Sequence, residues 1–383
     1  MSKKTYDFAI IGGGILGTSF AYHLLNMGYT VAIFDRDHSP QQASVRNFGQ
    51  VVPSGFGAEW QKFGIASMEI YRSIQKETGL DIKEEGSIYI ASDDDEVRLI
   101  KELNAINKAN QYDSILLEQS DIAKLYPEVR QSYARAGLYF PYEIQVNPKT
   151  TVSKILNWLQ ATKKLSYYNK VTIQDIVVSN NTIQLTDNFK NEYEAGKVFI
   201  CSGHDFKTLF PEIFLNAGLK TVKLQMLSGI AKDTKIKGSI LSGWSIRRYE
   251  CFEECPSYSA IVAHDDPTSF HKRHGIHILA KQEVDGTIIL GDSHHYFPHD
   301  TDTLEPNYED MINVNEFMLC EAKKILNIDH FQLRSAWAGY YSQCTDRPIF
   351  INNIGDDITV VTGIGGKGMT ASLGFVKQYV KNF

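Results

Sequence analysis

The stretch FAIIGGGILGTSFAYHLL (residues 8–25) decides how the rest of the chain is read. It opens as a short apolar run of the kind found in buried strands and breaks into glycines. It then resumes with apolar residues at helical spacing, and Gly28 stands where a helix C-cap is expected. Gly12, Gly14 and Gly17 form G-x-G-x-x-G. A second β-rich run, TVAIFD, ends on Asp35, 18 positions after Gly17. Strand, glycine turn, helix, strand and an acid about 20 residues on make the dinucleotide-binding fingerprint. Gly12 permits the tight turn and Gly14 lets backbone amides approach a pyrophosphate. Gly17 lets helix and strand pack closely, and Asp35 accepts from a ribose diol. Asp35 suits FAD and NAD equally.

The 383 residues suit one large domain or two interwoven ones. Hydrophobic content of 43% and charged content of 22% are ordinary for a soluble globular protein. A net charge of −6 argues against a nucleic-acid partner, although a local cluster of cations would still serve an anionic small substrate. Five widely spaced cysteines do not form a disulfide framework, and the lone Cys251-x-x-x-Cys255 pair lacks a second pair to complete a zinc site. No metal is expected. No apolar run suits a secretory signal or reaches transmembrane length, so the expectation is a soluble cytoplasmic protein without a membrane partner. The oligomeric state is left open.

Beyond Asp35 and Arg36, residues 39–55 read as a loop crossing a ligand. Helices are predicted over 59–78, 94–110 and the segment TTVSKILNWLQATKK, with a strand at GSIYIAS (86–92). Strand and turn are predicted over 136–148, and a hairpin turning at Asn180 and Asn181. From 207 to about 329 the chain reads as strand-rich, with YSAIVAHD (258–265), GIHILAK (275–281) and GTIILGD (286–292) as β runs. Glycine loops follow strands at Gly12, Gly203 and Gly363, as in one sheet assembled from distant segments.

These features together resemble the FAD-dependent oxidoreductases of the D-amino-acid oxidase, glycine oxidase and sarcosine oxidase family. The resemblance rests on the N-terminal fingerprint, VFICSGHDF (198–206), AWAG (336–339) followed by TDRPIF (345–350), and VTGIGGKGMT (361–370). It implies an α/β fold: a Rossmann-like FAD-binding domain assembled from residues 1–75, 146–206 and 331–383. Residues 76–145 and 207–330 would form a substrate domain with a large mixed or antiparallel sheet. It implies hydride transfer from the carbon next to an amine nitrogen to flavin N5, then imine hydrolysis, with O2 as acceptor. The FAD would be non-covalent: the tethering cysteine of sarcosine oxidases falls at Gly339 here, and Cys344 is off that register.

Carried over residue by residue, the resemblance assigns Gly12, Gly14, Ile15, Leu16, Gly17, Asp35 and Arg36 to the dinucleotide. Val171 would meet adenine through its backbone, with Ser202 and Gly203 beside it. Ser44, Arg46, Asn47 and Gly49 would cross the flavin, and Gly339, Gly365, Gly366, Lys367, Gly368 and Met369 would lie along it. The family's carboxylate-clamping Arg is Tyr341 here, in WAGYYSQ. That departure, together with ASVRNFG and SGHDF, which resemble a subgroup found beside phosphonate-degradation genes, suggests an aminophosphonate or N-substituted amine. Arg46, Lys367 and Tyr341 are the expected catalytic residues. The alternatives are a D-amino acid or glycine oxidase, an FAD-dependent 2-hydroxy acid dehydrogenase, and a non-catalytic FAD-binding protein. Tyr249 and Tyr258 are candidate pocket hydroxyls. His264, His294 and His295 read as ordinary polar residues, with their relation to the pocket open.

Overall fold

The computed structural model describes residues 4–179, 182–232, 234–299 and 306–383. The strand Lys4–Ile11 lies at the centre of an eight-stranded sheet. On one side it pairs in parallel with Val31–Asp35, which pairs in parallel with Ser166–Asn169. On the other it pairs in parallel with Glu192–Ile200. The first half of Glu192–Ile200 pairs with Thr182–Asp187, and its second half with Ile358–Thr362. The strands ending at the three glycine loops are therefore neighbours, although Gly12, Gly203 and Gly363 are far apart in sequence.

The second half of the central strand, Phe8 to Ile11, is buried on both faces and apolar without a break. Phe8 and Ile10 pack with Phe20 and Leu373, whereas Ala9 and Ile11 pack with Phe34 and Val360 in a different cluster. Two helices, Ile15–Asn26 and Gly368–Tyr379, supply the first of these layers.

The second sheet has nine strands, and its long pair is Leu219–Ile230 with Gln332–Cys344. Val222 is opposite Tyr341 on one neighbour and Tyr296 on the other, so both tyrosines project from one face of the sheet. The helix Ile312–Ile325 buries Val314, Met318, Ala322 and Ile325 at helical spacing in a cluster with Leu227, Ile288 and Leu290. Three short strands, Gln50–Val51, Ile144–Val146 and Ile82–Lys83, form a small sheet of their own.

The predicted helices stand at Ala58–Thr78, Asp94–Ala109 and Pro148–Lys163. The hairpin strands are Ile173–Ser179 and Thr182–Asp187, while the turn at Asn180 and Asn181 lies outside the described residues. Three expectations are corrected. YSAIVAHD contains the helix Tyr258–Val262, which buries Ile261 alone of its residues, so no strand-like alternation is satisfied. The region 207–330 contains the helix Ile312–Ile325 as well as strands. Residues 332–344, assigned by sequence to the FAD-binding segments, pair along their length with the second sheet instead.

Candidate functional site

A cavity of about 600 Å³ is walled by both sheets. Asp35, Val171 and Gly203 line it at the carboxyl ends of the parallel strands, where open α/β sheets bind ligands. Tyr341, Tyr296, His294 and Arg248 line it from the second sheet and its connections.

The glycine loop has the geometry the fingerprint requires. Gly12 has φ +105°, and a Cβ there would fall 2.3 Å from the Cys201 carbonyl oxygen. A Cβ on Gly17 would fall 1.9 Å from the Gly12 oxygen. Gly17 does not line the cavity; it is a packing glycine. A Cβ on Gly14, by contrast, would meet only the Ser44 hydroxyl, at 3.1 Å, on the cavity wall. The Gly13 N–H donates to Asp35 Oδ2 at 2.6 Å, and the Ile15 N–H donates to Ser44 Oγ at 2.9 Å. The first turn of the helix Ile15–Asn26 contains no acid, which suits a phosphate at its N-terminus. Burial pushes the Asp35 carboxyl up, opposed by the amides of Asp37 and Gly13. A glycine cradle, an acid-free helix start and an acid at the strand end fit FAD.

The other assigned residues reach the cavity, but several are already engaged. Arg36 pairs with Asp205 at 3.1 Å, and Ser202 donates to the Asp205 carbonyl. The Val171 N–H donates to the Asp35 carbonyl at 2.9 Å, which leaves its carbonyl, not its N–H, for an adenine edge. Asn47 bridges the Ala43 carbonyl and the Gly49 N–H, holding the loop in shape. Ile15, Leu16, Gly49, Gly339, Gly365, Gly366, Gly368 and Met369 all line the cavity.

Arg46 and Lys367 both line the cavity, and each has partners there. Arg46 donates to the carbonyls of Gln41 at 2.6 Å and Ala338 at 3.1 Å, which ties the loop to the strand Gln332–Cys344. Lys367 pairs with Glu250 at 3.4 Å and lies against the rings of Phe56 and Trp60. Two backbone carbonyls engage the Arg46 guanidinium without neutralising it, and a carboxylate pairs with Lys367.

Arg248 is the cation that sequence reading missed. It follows the short helix Gly243–Ile246 and lines the cavity. Among the described residues its one side-chain hydrogen bond is to the Tyr296 hydroxyl, at 2.8 Å, and it has no carboxylate within ion-pair distance. Lys220 lies over the Tyr296 ring at 4.6 Å, adding positive charge behind that tyrosine. Tyr341 is beside this group, with its hydroxyl pushed well above the ordinary value by burial.

Next to Arg248 is a buried chain of polar groups. Ser245 Oγ is 2.9 Å from His277 Nδ1, and His277 Nε2 is 3.0 Å from Asp292 Oδ1. His294 Nδ1 is 3.2 Å from the Gly275 carbonyl and 3.7 Å from the same Asp292 oxygen. Burial, Arg248 and His277 together hold His294 down to about 3. Against the opposing effect of burial, His294, His277 and Arg248 keep the Asp292 carboxyl below its ordinary range. Of the other candidates, Tyr249 lines the cavity, His264 is exposed, and His295 pairs with His274 at 2.8 Å. The signals for the missed residues were faint: adjacent arginines in SIRRYE and a polar run, DSHHY, after a strand.

A glycine cradle at the ends of parallel strands, roofed by a second sheet carrying polar groups, defines a flavoprotein oxidoreductase. Residues 7–379 match the model of the family described as "FAD dependent oxidoreductase", and the chain belongs to that family. It is 27% identical to glycine oxidase of Bacillus licheniformis over 158 residues, 38% of this chain and 40% of that protein. It is 26% identical to monomeric sarcosine oxidase of Arthrobacter sp. (strain TE1826) over 130 residues, 33% of this chain and 33% of that protein. The chain spans less than two thirds of the length of these curated relatives. Among solved structures, glycine oxidase from Geobacillus kaustophilus has a TM-score of 0.79 at 16% identity, covering 99% of this chain and 94% of that one. L-proline dehydrogenase from P. horikoshii has a TM-score of 0.78 at 18% identity, covering 100% and 94%. Among the described residues no helix is long and apolar enough to cross a membrane.

Proposed function

We propose that this chain oxidises a small amine that also carries an acidic group, an aminophosphonate such as 2-aminoethylphosphonate or an N-substituted relative. Amine, O2 and water would give aldehyde, ammonia or methylamine, and hydrogen peroxide. Bound FAD would supply the two-electron oxidation chemistry. It would be held non-covalently by Gly14, the first turn of Ile15–Asn26 and Asp35, within a domain built from the first sheet. The second sheet would form the substrate side.

The observation that carries this reading is Arg248: a cavity cation whose side chain has one neutral hydrogen-bond partner and no carboxylate within ion-pair distance among the described residues. Because Tyr296 accepts from Arg248, its own O–H remains free to donate. The Tyr341 hydroxyl makes no hydrogen bond among the described residues and faces the same cavity. A guanidinium and two hydroxyls supply more donors than a planar carboxylate needs and suit the three oxygens of a phosphonate. The structural likeness to glycine oxidase favours a second reading, in which Arg248 holds an amino-acid carboxylate.

Anaerobic mixing of holoenzyme with 2-aminoethylphosphonate, its N-methyl form, glycine, D-alanine and a 2-hydroxy acid tests both. Fastest flavin bleaching by a phosphonate, weakened at least about tenfold in kcat/KM by Arg248→Met, supports the first reading. A tenfold advantage for glycine or D-alanine selects the second. Bleaching only by the hydroxy acid, or by none, rejects both.

A further inference from the structure

We propose that His294 accepts the proton of the substrate's ammonium group, and does so only when the substrate's acidic group occupies Arg248. This rests on the acidic-amine reading above. An amine enters protonated near neutral pH, yet the C–H bond next to nitrogen can be broken as hydride only if nitrogen has its lone pair. A group in the cavity that removes the proton therefore has a task.

The geometry fixes which atom does it. A carbonyl oxygen only accepts, so the 3.2 Å contact between His294 Nδ1 and the Gly275 oxygen places the ring hydrogen on Nδ1. Nε2 is then a bare acceptor, and it has no hydrogen bond among the described residues. Asp292 Oδ1, 3.7 Å from Nδ1, offsets the charge of the imidazolium once it forms. His277 Nε2 lies 3.0 Å from the same Asp292 oxygen, and its other nitrogen lies 2.9 Å from Ser245 Oγ.

The charges around His294 make the step conditional. Arg248 and Tyr249 approach from the turn after Gly243–Ile246, His277 and Asp292 from adjoining strand ends, and Tyr296 and Tyr341 from the second sheet. In the free site Arg248 opposes a second positive charge. An oxyanion on Arg248 cancels that opposition while burial and His277 still oppose the charge; with Asp292 3.7 Å away, His294 becomes more basic in the complex than in the free site. In the transfer, an ammonium N–H bond breaks and its electron pair stays on nitrogen. The proton bonds to Nε2. The products are a neutral amine and an imidazolium facing Asp292.

Two measurements on holoenzyme test this. In the first, anaerobic flavin bleaching at saturating 2-aminoethylphosphonate is followed from pH 6 to 10. Wild type should be nearly flat from 7 to 9. His294→Gln should gain about tenfold per pH unit there, because only amine already deprotonated in solution reacts. An unchanged profile in a variant that keeps its FAD overturns the proposal. In the second, wild type labelled with 15N-histidine is saturated with 2-amino-2-methylpropylphosphonate, which has no hydrogen on the carbon next to nitrogen. One histidine should move to imidazolium shifts, and should not do so with tert-butylamine. No such change, or the same change with both ligands, rejects the proposal without recourse to any variant. Arg248→Met separates the two levels. If it leaves phosphonate affinity intact, the acidic-substrate reading fails and takes this proposal with it. If affinity falls while His294→Gln keeps a flat profile, this proposal alone fails.

Discussion

Arg247 and Arg248 are consecutive, yet their side chains serve opposite neighbourhoods. Arg247 is gripped by Asp93 at 2.7 Å, Glu96 at 3.1 Å and Asp265 at 2.9 Å, whereas Arg248 meets one hydroxyl and the cavity. The first arginine anchors the turn from which the second projects. Arg247→Met leaves the buried Glu96 carboxylate without its cation and should cost about 3–5 kcal/mol of stability. Arg248→Met should leave the melting temperature unchanged or raised and alter only substrate handling. Thermal melts of the two variants, beside their kinetics, check the contrast.

The three fingerprint glycines should fail in different ways. Gly17→Ala drives a Cβ into the Gly12 carbonyl, so the backbone must shift; a large drop in melting temperature and in soluble yield is expected. Gly14→Ala meets only the Ser44 side-chain hydroxyl, at 3.1 Å, so the protein should fold and lose FAD affinity. Melts of apoprotein together with FAD titrations separate the two. Equal melts for both variants would contradict the packing role of Gly17.

Returning the clamp to position 341 should not restore it in this background. Tyr341→Arg sets a second guanidinium beside Arg248 and Tyr296 on a largely buried face, where like charges repel strongly. The single variant should be less stable than wild type. Tyr341→Arg with Arg248→Tyr should recover much of the loss, and a double-mutant cycle in urea measures the coupling. Additive effects would show that the two positions do not sense each other.

Acid precipitation should leave the protein pellet colourless and all flavin in solution. Cys344 is buried in an apolar cluster with Leu219 and Phe350 and does not line the cavity. Cys201 does line it, but burial pushes its thiol far above the range in which thiolate forms. Colour retained in the pellet, and lost in Cys344→Ala or Cys201→Ala, would reverse this expectation.

Stability should fall as pH drops from about 6.5 toward 4. His23 is buried, with Nε2 on the Leu373 carbonyl at 2.8 Å, and burial holds it down to about 4. Between those values the unfolded chain binds a proton that the folded chain refuses, so acid favours unfolding. His295, also near 4, adds in the same direction. Urea midpoints at pH 7 and pH 5 should differ, and His23→Gln should narrow the gap. A wider gap in the variant would refute the attribution.

The sequence by itself determined the flavin half of the protein. Gly12, Gly14, Gly17 and Asp35 are legible because a tight turn, a close backbone approach and a strand-end acid are local demands, met within 24 residues. The family's glycine segments at 203 and 365 were legible for the same reason. Only tertiary structure decided the cavity wall that faces the glycine cradle. Arg46 and Lys367 looked like free cations until the fold supplied the Ala338 carbonyl and Glu250 as partners. Arg248, Asp292 and His294 are separated by 44 and 2 residues, on a turn and the end of a strand. The fold brings them to one cavity, which Tyr296 and Tyr341, both opposite Val222, also line. Charge is a property of a side chain, but whether that charge is free depends on contacts made across the fold, and no local pattern records those.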